Sequence, residues 1–405
     1  MIPQRAAAMG RALRHRDYRL FFGGQLISLI GTWMQNLAQA WLVFRLSGSA
    51  ELLGALGFAI QGPIFLLSQL GGAVADQRDR RAILIATQAA AMVLAALLAI
   101  LTLTGPIRIW EIFLLAGLLG TVNAFDIPAR QSFVVELVGR EDLPNAIALN
   151  SSMFNAARLV GPALAGFAVA AIGEGWCFAL NALSFLAVIG SLLAMRRPQP
   201  APRPAPEPLF ARVRQGMAHV AGDRPIRTLM TMVAGFSLFG LPYAVLMPIF
   251  AARLPGGGAG TLGTLMASAG LGALAGALLL AGRDGIHGMA RGVGRAAAAY
   301  GLLLTMFAWS RWLWLSVPVL VLIGFCQMTV VASSNTLVQS VVPDAFRGRV
   351  MAIFATLFLG MAPFGALLAG SVAARLGASV AVTIGGLISS LVGLWFIRRS
   401  AAAGL

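Results

Sequence analysis

The sequence predicts an all-α polytopic membrane protein, with twelve transmembrane helices in two pseudo-symmetric six-helix bundles. Three observations predict it: a charge-poor composition, apolar runs of spanning length along the whole chain, and an internal repeat at half its length. Of the 405 residues, 59% are hydrophobic and only 11% charged. A soluble domain of this size carries roughly 25% charged residues, so the deficit points to lipid as the solvent. A spanning helix needs about 20 mostly apolar residues.

Short charged or Pro/Gly-bearing breaks divide the first half into spans at 19–45, 51–75, 82–104, 109–128, 145–172 and 175–195. The second half divides at 226–252, 259–282, 293–310, 312–340, 346–373 and 377–397. All thirty basic residues are arginine. With loops assigned alternately, 24 of them fall on the side of the N-terminus. Only Arg45, Arg108, Arg253, Arg311 and Arg375 fall on the other, and Arg158 is left inside a span. Cytoplasmic loops carry the arginine excess, so both termini are expected in the cytoplasm of a multi-pass inner-membrane protein. A cleaved signal peptide is not expected, because the apolar run after Tyr18 is too long and lacks a cleavage site.

At mid-chain stands PQPAPRPAPEP, Pro198 to Pro208, whose prolines favour an extended linker. Leu209, Val213, Met217 and Val220 then recur at helical spacing with arginines between them, which suggests an amphipathic helix on the inner membrane surface. The expected organisation is a first bundle at 1–197, a cytoplasmic linker and surface helix at 198–222, and a second bundle at 223–405. The halves resemble each other: VGREDLPNAIAL followed by GPALAG at Gly161 matches VVPDAFRGRVMAI followed by GALLAG at Gly365, an offset of 204 residues. Both copies open with a helix-start signal, Asp142-Leu143-Pro144 and Pro343-Asp344, and end in glycines spaced for close helix packing.

Between the second and third spans lies GGAVADQRDRR, Gly71 to Arg81. Gly72 is read as a close helix contact, Asp76 as a carboxylate able to cap a neighbouring helix start, and Arg80 and Arg81 as partners for acids across an inner gate. The segment resembles the signature loop of the major facilitator superfamily, Gly-x-x-x-Asp-Arg-x-Gly-Arg-Arg; Gly72, Asp76, Arg80 and Arg81 match it, and Gln77 and Asp79 depart from it. The resemblance implies the fold of that family. When the transporter is open outward, it places Asp76 by the start of the eleventh span, near Asp344 to Arg347; it places Arg80 by an acid at the inner end of the fourth, Asp126. The counterpart loop of the second half, Gly282 to Arg295, lacks the pattern.

A longer stretch, Ala124 to Phe167, is similar to the branch that contains the enterobactin exporter and macrolide-efflux proteins. ARLVGPALAG resembles the fifth-helix antiporter motif: Gly161, Pro162 and Gly166 match, while Ala157 and Ala165 replace two glycines and Arg158 has no place in it. What the resemblance implies is a secondary transporter that exports a small amphipathic molecule, such as a siderophore or an antibiotic, in antiport with protons. It implies a monomer whose first, fourth, seventh and tenth spans line the central cavity. Uptake by the same fold, or a membrane sensor without transport, are the alternatives.

Residues point to a cavity independently. Gln25, Ser28, Thr32, Gln35, Asn36 and Gln39 recur every three or four positions, and a polar stripe within a membrane needs partners or water. Tyr243, with Phe236 and Phe239, and Gln327, with Ser334 and Asn335, are further candidates; the aromatics either stack on substrate or pack. Arg158 lies 15 residues beyond Leu143, roughly 22 Å at about 1.5 Å per residue, on one face with Ser151 and Asn155. It serves an anionic substrate, pairs with a titrating acid, or bonds backbone carbonyls. Asp126, the one acid in the interior of a predicted span (Glu111 sits at the outer edge of the fourth), is either the proton carrier or the gate partner of Arg80.

Other chemistry has little to stand on. Without lysine there is no ATP-binding GxxxxGK[ST] loop. Cys177 and Cys326 sit in separate apolar spans, and His15, His219 and His287 lie apart, so neither a metal site nor another cofactor is expected. No cluster of His, Asp, Cys or Ser suggests an enzyme. The arginines are scattered over many loops with no basic face for nucleic acid.

Overall fold

The computed structural model describes residues 10–196, 209–281, 285 and 288–402. The Pro198–Pro208 linker and His287 lie outside the described residues, as do parts of the Gly282 to Arg295 loop. Apart from a short 3-10 turn at Arg11–Arg14, thirteen helices follow one another. They are α1 (Arg16–Ser47), α2 (Ala50–Gln77), α3 (Arg80–Thr104), α4 (Ile109–Gly139), α5 (Glu141–Ile172) and α6 (Glu174–Ala194). Then come the surface helix α7 (Leu209–Gly222), α8 (Arg224–Arg253), α9 (Ala259–Ala281), α10 (Met289–Trp309), α11 (Leu313–Val341), α12 (Asp344–Leu376) and α13 (Ala378–Ala402).

Ten of these are long and apolar enough to cross a membrane. Of the other three, α7 has only 14 residues, and the polar stripe of α1 and the glycines and arginines that open α10 dilute the remaining two. Large apolar side chains lie outward, as in Leu66 (68% exposed), Trp314 (72%) and Phe167 (75%), which is the arrangement for hydrocarbon rather than water. Exposed Trp110, Trp176, Trp309 and Trp312 stand at the arginine-poor helix ends, where indole rings favour the lipid headgroup level.

The predicted break between the fourth and fifth spans, 129–144, contracts to one residue. Gly139, at φ 70° and ψ −179°, is the only non-helical position between Ile109 and Ile172, and its missing Cβ makes that conformation accessible. Pro128 and Pro144 are accommodated inside the helices, so α4 runs about three turns past its expected end. The start of α5 is held by the N-terminal turn. Asp142 accepts from Arg11 at 3.1 Å and lies 2.9 Å from His15, while Ala12 N–H donates to Asn145 Oδ1 at 2.9 Å.

The seventh span, α8, is broken. A π segment at Phe236–Gly240 passes into a 3-10 segment at Leu241–Leu246, around Pro242, and Pro248 follows. Proline removes a backbone donor from the helix, and within the break the Gly240 carbonyl accepts from Tyr300 Oη at 2.8 Å. Such interruptions occur mostly at functional positions.

The chain packs as two compact units, residues 1–42 with 62–204, and residues 43–61 with 205–405. In the first unit, Gly161 of α5 faces Ile30 O and Trp33 of α1; a Cβ there would lie 2.9 and 2.5 Å from them. Its repeat mate Gly365 of α12 faces Leu238 O and Pro242 of α8 in the second unit, again leaving no room for a side chain. Gly71 of α2 packs on Ala124 of α4, and Gly324 of α11 packs on Ala269 of α9. Each unit thus repeats one pairing scheme. Within the second unit, the first half of α2 packs on α12: Gly54 meets Gly370, and the Phe58 and Phe364 rings meet edge to face at 5.8 Å.

Candidate functional site

The first unit encloses a polar cavity of about 50 Å³ among α1, α3, α4 and α6. Its centre is Asp126, which is 3% exposed. Thr87 Oγ1 and Gln88 Nε2 of α3 each donate to its Oδ1 at 2.8 Å, and Arg130 Nε stands 3.5 Å from its Oδ2 one turn along α4. Gln25, Ser28 and Thr32 of α1 and Asn181 of α6 complete the polar wall. Gln88 Oε1 is buried there without a hydrogen-bond partner. Asp126 and Arg130 are the only charged groups lining this cavity.

The stripe on α1 is buried within its own bundle. Gln25, Ser28, Gln35 and Gln39 are each at most 3% exposed. Gln35 Oε1 accepts from Asn181 Nδ2 at 2.7 Å, and Gln39 Nε2 reaches Ile112 O at 3.5 Å. Thr32 Oγ1 donates to Ser28 O, and Asn36 is half-buried. Gly31 brings α1 against Asn181 and Ser184, where a Cβ would lie 2.5 Å from both polar side chains. The lower part of the stripe therefore lines the Asp126 cavity, and the upper part is used in helix pairing.

Arg80 does not meet Asp126. Its Nη1 lies 2.7 Å from Glu136 Oε1, its Nε donates to Ala75 O, and its Nη2 is 3.7 Å from Asp76. Glu136 lies ten residues beyond Asp126, about 15 Å along the helix. Sequence reasoning missed it because α4 was expected to end at 128; the apolar spacing of Phe133, Val134, Leu137 and Val138 was the available signal. Arg81 donates to Leu192 O at 2.8 Å and Leu193 O at 3.1 Å, which satisfies carbonyls at the α6 C-terminus. Asp79, not Asp76, caps a helix: it accepts from the Arg81 and Ala82 N–H groups at the start of α3. Asp76 is 59% exposed, and the side chain of Asp344 lies outside the described residues.

The close glycine is also a different one. A Cβ on Gly71 would overlap the Ala124 carbonyl, whereas one on Gly72 would meet nothing within 4 Å. On α5, Gly161, Pro162 and Gly166 are buried, and Ala157 and Ala165 are fully so. Arg158 is half-buried. Asn155 is 5% exposed and donates to Ser151 O at 2.8 Å within its own helix, while Ser151 itself is exposed.

In the second unit, Phe236 and Tyr243 pack on Tyr300, with ring centroids 4.8 and 6.2 Å away. Both are at most 5% exposed, so these two rings belong to the bundle core; Phe239 is half-buried. Gln327 of α11 is 9% exposed, and Ser334 is fully buried with its hydroxyl lacking a partner. Cys177 and Cys326 are free and buried.

Residues 8–402 match the family described as transmembrane secretion effector. Among curated proteins, the staphyloferrin A transporter of Staphylococcus aureus is 26% identical over 86% of this chain and 88% of its own. The multidrug efflux pump Tap of Mycolicibacterium fortuitum is 25% identical over 85% and 86%. The enterobactin exporter EntS of Salmonella choleraesuis is 24% identical over 94% and 91%. Among solved structures, the nucleoside transporter NupG superposes with a TM-score of 0.70 at 15% identity over 95% of this chain and 98% of its own, a likeness of fold.

Proposed function

The chain belongs to the transmembrane secretion effector family of the major facilitator superfamily, and from that premise we propose that it exports a small amphipathic anion by alternating access in antiport with protons. The observation that carries the reading is the Asp126–Arg130 pair in a polar cavity of the first bundle. Ionisable groups inside a membrane bundle are costly and mark ion or substrate pathways. Asp126 is the carrier of the coupling proton, and Arg130 is the fixed charge that holds it in the absence of substrate.

The relatives support the substrate class. Two are named for siderophores, staphyloferrin A and enterobactin, and a third for multidrug efflux. Arg158 on α5 supplies a permanent positive charge for such an anion, because a guanidinium does not lose its proton. Thr32, Asn36 and Asn155 of the first unit supply neutral contacts along its path. The inner gate consists of Asp76, Arg80 and Arg81 with Glu136, and Gly161, Pro162 and Gly166 let α5 move on α1. The arginine asymmetry supports an inner-membrane protein with both termini in the cytoplasm.

Everted membrane vesicles test the reading. With an acid interior imposed, enterobactin or staphyloferrin A should collapse part of the proton gradient in vesicles that contain the protein and not in control vesicles. Asp126→Asn should abolish that response while leaving substrate exchange at equal pH. No gradient response to either compound would remove the export reading.

A further inference from the structure

One cleft of the second unit lies away from every residue considered so far. It holds about 340 Å³ between the first turns of α8 and the last turns of α13, and Arg224, Arg227, Arg399, Thr228, Thr231 and Trp395 line it. That is several times the ~30 Å³ share of one water molecule, enough for a polyatomic anion. All three arginines are exposed.

Several arginines at the same helix ends are occupied. Arg11 pairs with Asp142, Arg80 with Glu136, and Arg81 and Arg347 bond backbone carbonyls. Arg349 lies over the Phe346 ring. In the cleft, Arg227 spends one N–H on Ala221 O, and among the described residues Arg224 and Arg399 have no carboxylate partner. Asp223, beside Arg224 in sequence, uses its Oδ1 on the Ile226 N–H to cap α8. The N-terminus of α8 adds the positive end of a helix dipole to the same cleft.

Topology accounts for arginines at this level of the molecule, but not for three converging on one cleft without an acid. We propose that the cleft binds the phosphate of an anionic phospholipid. A phosphodiester would take charge-assisted hydrogen bonds from Arg224, Arg227 and Arg399. Thr228 lies beside it, Trp395 stands where indoles meet headgroups, and exposed Leu391 and Leu394 border the acyl chains. Basic pockets between spanning helices on the cytoplasmic side suit such headgroups. Two-sided anchoring ties the start of α8 to the end of α13.

The test uses the full chain, purified in maltoside micelles and melted with rising dioleoylphosphatidylglycerol, dioleoylphosphatidylcholine or inorganic phosphate. Phosphatidylglycerol should raise Tm saturably, and phosphatidylcholine should not. Arg224→Gln with Arg399→Gln should raise the half-saturating phosphatidylglycerol concentration roughly tenfold or more, with Tm in lipid-free micelles unchanged. The paired lysine substitutions should restore part of the response, and Arg375→Gln, at the opposite helix end, should leave it intact. An equal response to both lipids, or an unchanged response in the glutamine variant, would overturn the site. A Tm rise with inorganic phosphate alone would make the occupant a soluble phosphate and overturn the lipid assignment. If the glutamine variant melts lower without lipid, phosphatidylglycerol adducts counted by native mass spectrometry decide: retention at wild-type level overturns the proposal.

Discussion

Arg80 of α3 and Glu136 of α4 meet at 2.7 Å, with their side chains 14% and 13% exposed. This contact joins the loop after α2 to the last turn of α4, and it leaves Asp126 to the interior cavity. Removing one partner of a nearly buried pair strands the other charge, which typically costs about 3–5 kcal/mol for a fully buried pair and less here, with water at the rim. Glu136→Gln and Arg80→Gln should each lower Tm and transport, and the exchange Arg80→Glu with Glu136→Arg should recover part of both. Equal loss in the exchange variant, measured by melting in detergent, would show that the surrounding carbonyls rather than the pair decide the effect.

Neighbouring glycines give a contrast of the same kind. Gly71→Val forces a side chain into the Ala124 carbonyl and should abolish folded protein, whereas Gly72→Ala meets open space and should be tolerated. Fluorescence-detected size-exclusion chromatography of the two variants reads the difference directly.

Much of this architecture was legible because lipid restricts the options to apolar helices of about 20 residues. The order and approximate bounds of the spans follow from that restriction. What stayed hidden depended on a single backbone torsion. Because Gly139 needs no loop around it, α4 extends over charged residues that looked like a cytoplasmic connection, and Arg130 and Glu136 move onto a helix. Composition also could not separate Gly71 from Gly72, since only the register of α2 on α4 decides which one meets a carbonyl.

Arg158→Gln separates two roles. Service to an anionic substrate predicts a raised apparent KM with Tm retained, and a structural role predicts lower Tm and expression at unchanged KM. Transport in proteoliposomes and melting of the same preparation distinguish them.

Orientation is testable with Cys177→Ser and Cys326→Ser as background. Ala402→Cys should react with an impermeant maleimide only after cells are opened, and Arg108→Cys should react in intact cells. The reverse pattern would invert the topology and place the proposed lipid cleft at the outer surface.

The single-residue junction at Gly139 leaves α4 and α5 without slack. A helix that carries Asp126 and Glu136 cannot shift along its axis without pushing or pulling the one that carries Arg158 and the Gly161 contact with α1. In the proposed transport cycle, protonation at one rod and substrate contact at the other would be parts of one stroke, as two arms of a crank share an elbow. Two glycines inserted after Gly139 would loosen that elbow, so that charge events on α4 no longer reach α5, while both helices keep their own packing.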